Sequence, residues 1–180
     1  MATKKPAKTT GRAKTAAKQS EGPLVSEFDG TCAITIHDAP SPPPKGDYRL
    51  RCRIEFSVDR TRVSLTDFEP IRTEEYAARL GPLEVTNSTT VHLRSAGRGT
   101  LSKDGHVEID VVLFFDHAFD APLYEEDSDL PITLSTRKGG RPLSADGRVT
   151  LAGEGRFAGG TLDGCRCQLV YAGRVTPAPW

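Results

Sequence analysis

Hydrophobic residues alternate with polar ones along much of this chain, and this two-residue period constrains the fold more than any other feature. Between Tyr48 and Asp59, apolar side chains occupy every second position from Leu50 onward, and the positions between them are charged or polar. Successive side chains of a β-strand point to opposite faces, so the pattern predicts a strand with one face in a core and one in water. The predicted inward residues are Leu50, Cys52, Ile54, Phe56 and Val58.

The same alternation recurs along the chain, notably in segments 31–36, 83–93, 107–115 and 165–171. Asp-Gly pairs, which are typical of tight hairpin turns, begin at Asp104, Asp146 and Asp163, between alternating segments. Short turns join strands that are antiparallel neighbours. We therefore expect an all-β domain of roughly eight to ten strands, an antiparallel meander that is closed as a barrel or packed as a β-sandwich.

One segment departs from this alternation and predicts a short helix near 73–80. Thr73 is a suitable N-cap, the two glutamates after it suit a first helical turn, and the Gly-Pro pair after Leu80 would end the helix. Tyr76 and Leu80 are four residues apart, so both would face the body of the domain.

Charge is distributed unevenly, although the 24 basic and 24 acidic residues balance. The first 20 residues contain no acid and six basic residues: Lys4, Lys5, Lys8, Arg12, Lys14 and Lys18. Such a segment has little to bury, so we expect residues 1–22 to be a disordered basic tail and residues 23–180 to form a single domain. The tail either binds a polyanion or an acidic partner, or serves only to keep the chain soluble.

Apolar runs in this chain are short, the longest being the five residues from Val111 to Phe115. A secretory signal needs about seven or more consecutive apolar residues, and a membrane-spanning helix needs about 20. We therefore expect a cytoplasmic protein with no membrane partner.

The four cysteines, Cys32, Cys52, Cys165 and Cys167, all fall on the apolar phase of their predicted strands. Zinc modules use paired Cys-x2-Cys arms, whereas this chain has a single Cys-x-Cys. Free cysteine is often buried and behaves there as a small hydrophobe. We expect buried thiols, no metal and no cofactor, with one disulfide or a metal site as the alternatives.

An acidic segment, DHAFDAPLYEEDSD, runs from Asp116 to Asp129, and we interpret it as a solvated loop between two strands. It lacks the ligand spacing of an EF-hand. Phe119 and Tyr124 would add apolar anchors for a partner protein. The candidates for acid–base chemistry are Asp116 and His117 in this segment, and Glu108 on the strand before it.

Three classes of function fit these features. We favour a non-enzymatic binding module that holds a small apolar ligand inside a barrel, or a partner protein through a loop. Polar residues on the inward phase would orient the ligand: Asn87, Thr89, Thr136 and Tyr171. The alternatives are a small-barrel enzyme of the cyclase, isomerase or lyase type, and an assembly protein whose tail docks on nucleic acid or an acidic surface.

Overall fold

The described residues form nine β-strands and no helix, so none of them belongs to a helix that could cross a membrane. The structure, a computed structural model, describes residues 22–39, 46–80, 83–120 and 123–180, without the side chains of 46, 74–80, 83–87, 117–120 and 123–126. The strands are β1 (Leu24–His37), β2 (Gly46–Phe56), β3 (Arg62–Phe68), β4 (Ile71–Leu80), β5 (Leu83–Leu101), β6 (Val107–Asp120), β7 (Leu123–Ser135), β8 (Arg148–Arg156) and β9 (Arg166–Thr176).

The strands close into an antiparallel barrel because one edge of β5 pairs with both β3 and β4. The order around the wall is β3, β2, β1, β9, β8, β7, β6 and β5, and residues 62–65 of β3 pair with residues 97–100 of β5 to complete the circle. β4 continues along the same edge and pairs with residues 83–91 of β5. The predicted all-β meander is confirmed, and this closure makes it an eight-stranded barrel rather than a sandwich.

The two ends of the barrel are built differently. At the turn end lie the connections 57–61, 102–106 and 144–147, and at the hairpin end lie the β4–β5 and β6–β7 connections and the loop 157–165. Glycine takes the left-handed conformation in each predicted Asp-Gly turn, with φ of 81°, 84° and 79° at Gly105, Gly147 and Gly164. The positive φ expected of these glycines is confirmed. Only Asp104-Gly105 lies in a short connection, between β5 and β6; the other two pairs lie in the longer connections 136–147 and 157–165.

The alternation in the sequence is the inside–outside alternation of the barrel wall. The four predicted core residues within β2 are at most 7% exposed, and the arginines between them are exposed. Val58 is an exception, because β2 ends at Phe56 and Val58 lies in the following turn with 59% of its surface exposed. Alternation alone does not mark where a strand ends, and the predicted inward position of Val58 is wrong.

The predicted helix near 73–80 is also wrong, because this segment is β4. Its backbone pairs with β5 from Ile71↔Val91 to Leu80↔Leu83, with a bulge between Glu74 and Tyr76. The cap and charge signals for a helix contribute only about 1 kcal/mol each. The edge of β5 offers a pairing partner along the whole segment, and this tertiary context overrides the local preference.

The acidic segment Asp116–Asp129 is a strand hairpin and not a loop. β6 extends to Asp120, β7 begins at Leu123, and the two strands pair in register from Asp116↔Asp127 to Asp120↔Leu123. The prediction relied on the density of charge, which says little about backbone pairing when a neighbouring strand is available.

Candidate functional site

Backbone hydrogen bonds close the barrel at its turn end. The amides of Leu101, Leu143 and Val175 donate to the carbonyl oxygens of Thr61, Gly105 and Gly147 at 2.9, 2.8 and 2.8 Å, respectively. The buried hydroxyl of Ser26 donates to the carbonyl oxygen of Pro177 at 2.7 Å. These bonds join each turn to a neighbouring strand or turn, so the turn end is a continuous, tied rim.

The loop between β8 and β9, residues 157–165, covers part of the hairpin end, and we call it the cap loop. Its side chains Phe157, Leu162 and Cys165 are buried. The ring of Phe157 packs edge-to-face on Phe115 of β6, with ring centroids 4.8 Å apart. The hydroxyl of Ser128 donates to the carbonyl oxygen of Gly159 at 2.9 Å, which fastens the cap loop to β7.

The wall parts between β2 and β4, on the side of the barrel away from the cap loop. The ladder between β2 and β3 ends at Cys52↔Phe68, and beyond it the amide of Glu69 donates to the carbonyl oxygen of Arg51 at 2.9 Å. Past that bond, residues 46–50 of β2 pair with β1, and β4 pairs with β5. Among the described strands β2 and β4 share no ladder, and we call this gap the side opening.

The base of the side opening is the two-residue link between β3 and β4, Glu69 and Pro70. Proline has no amide hydrogen and interrupts a ladder, which explains the break at this position. An outer groove of about 770 Å³ reaches this link, and its lining includes Cys52 and Phe68. Tyr48, on the part of β2 beyond its ladder with β3, is half-buried and packs against the core.

The sequence pattern places Cys52 on the inward phase, but it does not indicate the side opening. The only local signal was Pro70, which separates the alternation of β3 from the segment after it. The opening itself depends on how far β3 reaches along β2, which is a long-range register.

The interior wall is apolar and contains uncharged thiols. All four cysteines are free and buried, as the sequence predicted. Burial raises the pKa of Cys32, with the Cys167 thiol as the next contribution, and burial also raises the pKa of Cys52 and Cys167 to about 12. These three thiols are therefore protonated at neutral pH, and thiolate chemistry is suppressed.

Tyr171 is the predicted ligand-binding residue that the structure places most clearly in the interior. It lies in β9, where its pairing partners are Cys32 of β1 on one side and Leu151 of β8 on the other. Only 2% of its surface is exposed. No nitrogen or oxygen atom of the described residues pairs with its buried hydroxyl, whose one hydrogen-bonding neighbour is the thiol of Cys32, a weak acceptor. Burial, followed by the three nearby thiols, raises the pKa of Tyr171 well above its ordinary value of 10.0, so the group is a neutral donor.

The other predicted ligand-binding residues lie in different parts of the wall. Thr89 is buried in β5, and its carbonyl oxygen accepts a hydrogen bond from the Thr73 hydroxyl at 3.3 Å. Thr136 lies at the turn end, where its hydroxyl oxygen is 3.1 Å from the amide of Val107 and 3.1 Å from Nδ1 of His106. Thr136 therefore holds the rim together. The side chain of Asn87 lies outside the described residues.

The candidates for acid–base chemistry are spread along β6. Glu108 is exposed near the turn end, and Asp116 is half-buried eight positions further along. At about 3.3 Å per residue the two backbones are about 26 Å apart, too far for one ligand atom to meet both. The side chain of His117 lies outside the described part. Among the described side chains, no three His, Cys, Asp or Glu residues form a group that could hold a metal ion.

The candidates for partner binding lie outside the described side chains. This applies to Lys4, Lys5, Lys8, Arg12, Lys14 and Lys18, and also to Phe119 and Tyr124. The backbones of Phe119 and Tyr124 are paired across the β6–β7 hairpin.

Comparisons of the chain with protein-family models, curated proteins and solved structures found no match. The most distinctive features of the barrel are the side opening and the buried hydroxyl of Tyr171, which has only a thiol as its partner among the described side chains.

Proposed function

We propose that this barrel is a binding module that admits a small, largely apolar ligand to its interior through the side opening. The observation that carries the proposal is the asymmetry of the wall. The turn end is tied by hydrogen bonds between its turns and strands, whereas β2 and β4 share no ladder beyond the Arg51–Glu69 bond. A ligand that passes between β2 and β4 would therefore break no ladder among the described strands.

The chemistry of the inward side chains supports the same proposal. Closed barrels of about eight strands can hold one small ligand among their inward side chains. Ligand sites in proteins are mostly apolar and carry a small number of polar groups. The described inward residues of this barrel fit that composition, being aliphatic, aromatic and thiol side chains with a few hydroxyls.

Binding of an uncharged, environment-sensitive fluorescent dye tests the proposal. We expect saturable binding of one dye per chain, with a rise in fluorescence as the dye leaves water. Because Tyr48 lies at the side opening, Tyr48→Ala should increase the association rate several-fold in stopped-flow mixing.

The matched control is Leu24→Ala, which truncates another partly buried side chain, at the turn end. This variant should leave the association rate unchanged, and thermal melts of both variants would show that each is folded. The proposal is overturned if no saturable binding occurs. It is also overturned if Leu24→Ala accelerates entry and Tyr48→Ala does not.

A further inference from the structure

The hydroxyl of Tyr171 is a hydrogen-bond donor to which the described residues offer only a weak acceptor. The residue sits on the inner face of β9, and no nitrogen or oxygen atom of the described residues accepts from its enclosed hydroxyl. The thiol of Cys32 is the one described neighbour to which it donates. Buried polar groups in proteins are well paired in the great majority of cases, and a thiol sulfur is a weak acceptor, so a ligand oxygen would be a stronger partner.

The rest of the described interior restricts the charge of a ligand. The buried polar residues there are hydroxyl-bearing: Ser26, Thr73, Thr89, Ser128, Ser135 and Thr136. No Lys, Arg, His, Asp or Glu is among the buried residues of the described part. A carboxylate, phosphate or ammonium group brought into this interior would lose its hydration without gaining a counter-charge, which is strongly unfavourable.

Resting on the proposed function, we infer that the interior ligand is uncharged and carries a hydrogen-bond acceptor, a carbonyl or ether oxygen, that receives the hydroxyl of Tyr171. The apolar remainder of the ligand lies against the aliphatic and thiol side chains of the wall. Long-chain ketones, esters and aldehydes belong to this class, whereas free fatty acids and phospholipids do not.

Three probes of equal chain length separate the parts of this inference: a saturated hydrocarbon, a methyl ketone and a carboxylate. The affinity of each probe is measured by its displacement of the bound dye, from the wild-type chain and from Tyr171→Phe. This variant keeps the ring and removes the hydroxyl. We expect the ketone to bind best and the carboxylate worst in the wild type. Tyr171→Phe should weaken ketone binding about tenfold, the range of one hydrogen bond, and leave hydrocarbon binding unchanged.

A spectroscopic signature distinguishes a hydrogen bond from a change in packing. The carbonyl stretch of the bound ketone should lie at lower frequency in the wild type and return to its apolar-solvent value in Tyr171→Phe. Ser26→Ala is the control, because it deletes another buried hydroxyl, one that is used at the turn end. It should leave both the stretch and the ketone preference unchanged.

The outcomes separate this inference from the proposed function. If no probe binds, the hydrocarbon included, the proposed function itself fails. If the hydrocarbon binds but Tyr171→Phe does not reduce the preference for the ketone, the assignment of the Tyr171 hydroxyl is wrong and the binding function stands. Binding of the carboxylate as tight as that of the ketone would refute the requirement for an uncharged ligand.

Discussion

Serine and aspartate two residues apart shape three turns at the turn end of the barrel. The hydroxyls of Ser57 and Ser144 donate to the carboxylates of Asp59 and Asp146 at 2.6 and 2.5 Å, and Ser102 donates to Asp104 in the same way. In each turn the next residue has a positive φ, and its amide donates to the carbonyl oxygen of the serine. The side-chain bond thus holds each turn in the conformation that joins its strands.

These hydroxyl donors lower the pKa of the aspartates. The pKa of Asp59 falls from its ordinary 3.8 to about 2, with the Ser57 hydroxyl as the largest cause. A lowered pKa contributes stability above the ordinary carboxyl value, and that stability is lost as the pH falls from about 3.8 through 2. We predict that Ser57→Ala raises the pKa of Asp59 towards 3.8 in an NMR titration.

Asp104 and Asp146 serve as internal controls for that titration. Their pKa values are also lowered, each by the serine of its own turn, so Ser57→Ala should not move them. An unchanged Asp59 in the variant would show that the hydroxyl is not the source of its lowered pKa.

At the scale of the strand, β1 and β9 approach each other closely at a pair of glycines. Gly30 and Gly173 are partners in the β1–β9 ladder. A Cβ atom at Gly30 would lie 2.3 Å from the carbonyl oxygen of Ala172, and one at Gly173 would lie 2.5 Å from that of Asp29. Backbone atoms within a ladder cannot move aside, so either substitution must distort the wall.

We predict that Gly30→Ala and Gly173→Ala each lower the free energy of unfolding by about 2 kcal/mol, the usual range for overpacking. Urea unfolding followed by circular dichroism measures the change. Gly22→Ala is the matched control, since a Cβ atom there meets nothing within 4 Å. A loss of stability as large in Gly22→Ala would mean that the effect is not steric.

Strands with one face in the core can be predicted from the alternation in the sequence. Strands that form because a neighbouring strand offers an edge for pairing cannot. β2 and the first part of β6 alternate apolar and polar residues because one face of each is buried. The local signals of β4 predict a helix, because the edge of β5 that pairs with it lies in another segment of the chain. The charge density of segment 116–129 predicts a loop, because charge alone does not indicate that β6 and β7 pair there.

At the scale of the whole barrel, the sequence indicates an inward phase but not where the ladders of the wall end. The strand period alone identifies Tyr171 and Thr89 as inward polar residues. The use of the Thr136 hydroxyl at the turn end depends on its contact with β6, and the surroundings of the Tyr171 hydroxyl depend on the pairing of β9 with β1. The side opening likewise follows from pairing between distant segments, which no local pattern encodes.

The buried thiols report on the integrity of the whole barrel. They are contributed by β1, β2, β9 and the cap loop, so their burial requires the wall to be closed and the loop to be seated. The raised pKa values of Cys32, Cys52 and Cys167 keep these thiols protonated in the folded state. Above the ordinary thiol pKa of 9.0 the unfolded chain releases protons that the folded chain retains, so stability should decline as the pH rises past 9.

We predict that a thiolate-selective aromatic disulfide reagent at pH 8 labels the native chain only at the rate of unfolding, and labels all four cysteines at once in denaturing urea. Only the thiolate attacks such a reagent. All four thiols are buried, and the raised pKa values of Cys32, Cys52 and Cys167 also keep these three protonated. Val58→Cys supplies the control, since position 58 is exposed in a turn and its thiol should react at once with one equivalent. Fast labelling of Cys165 alone would show that the cap loop opens by itself, and fast labelling of Cys52 alone would show that the reagent enters at the side opening. Fast labelling of Cys32 would contradict a closed wall.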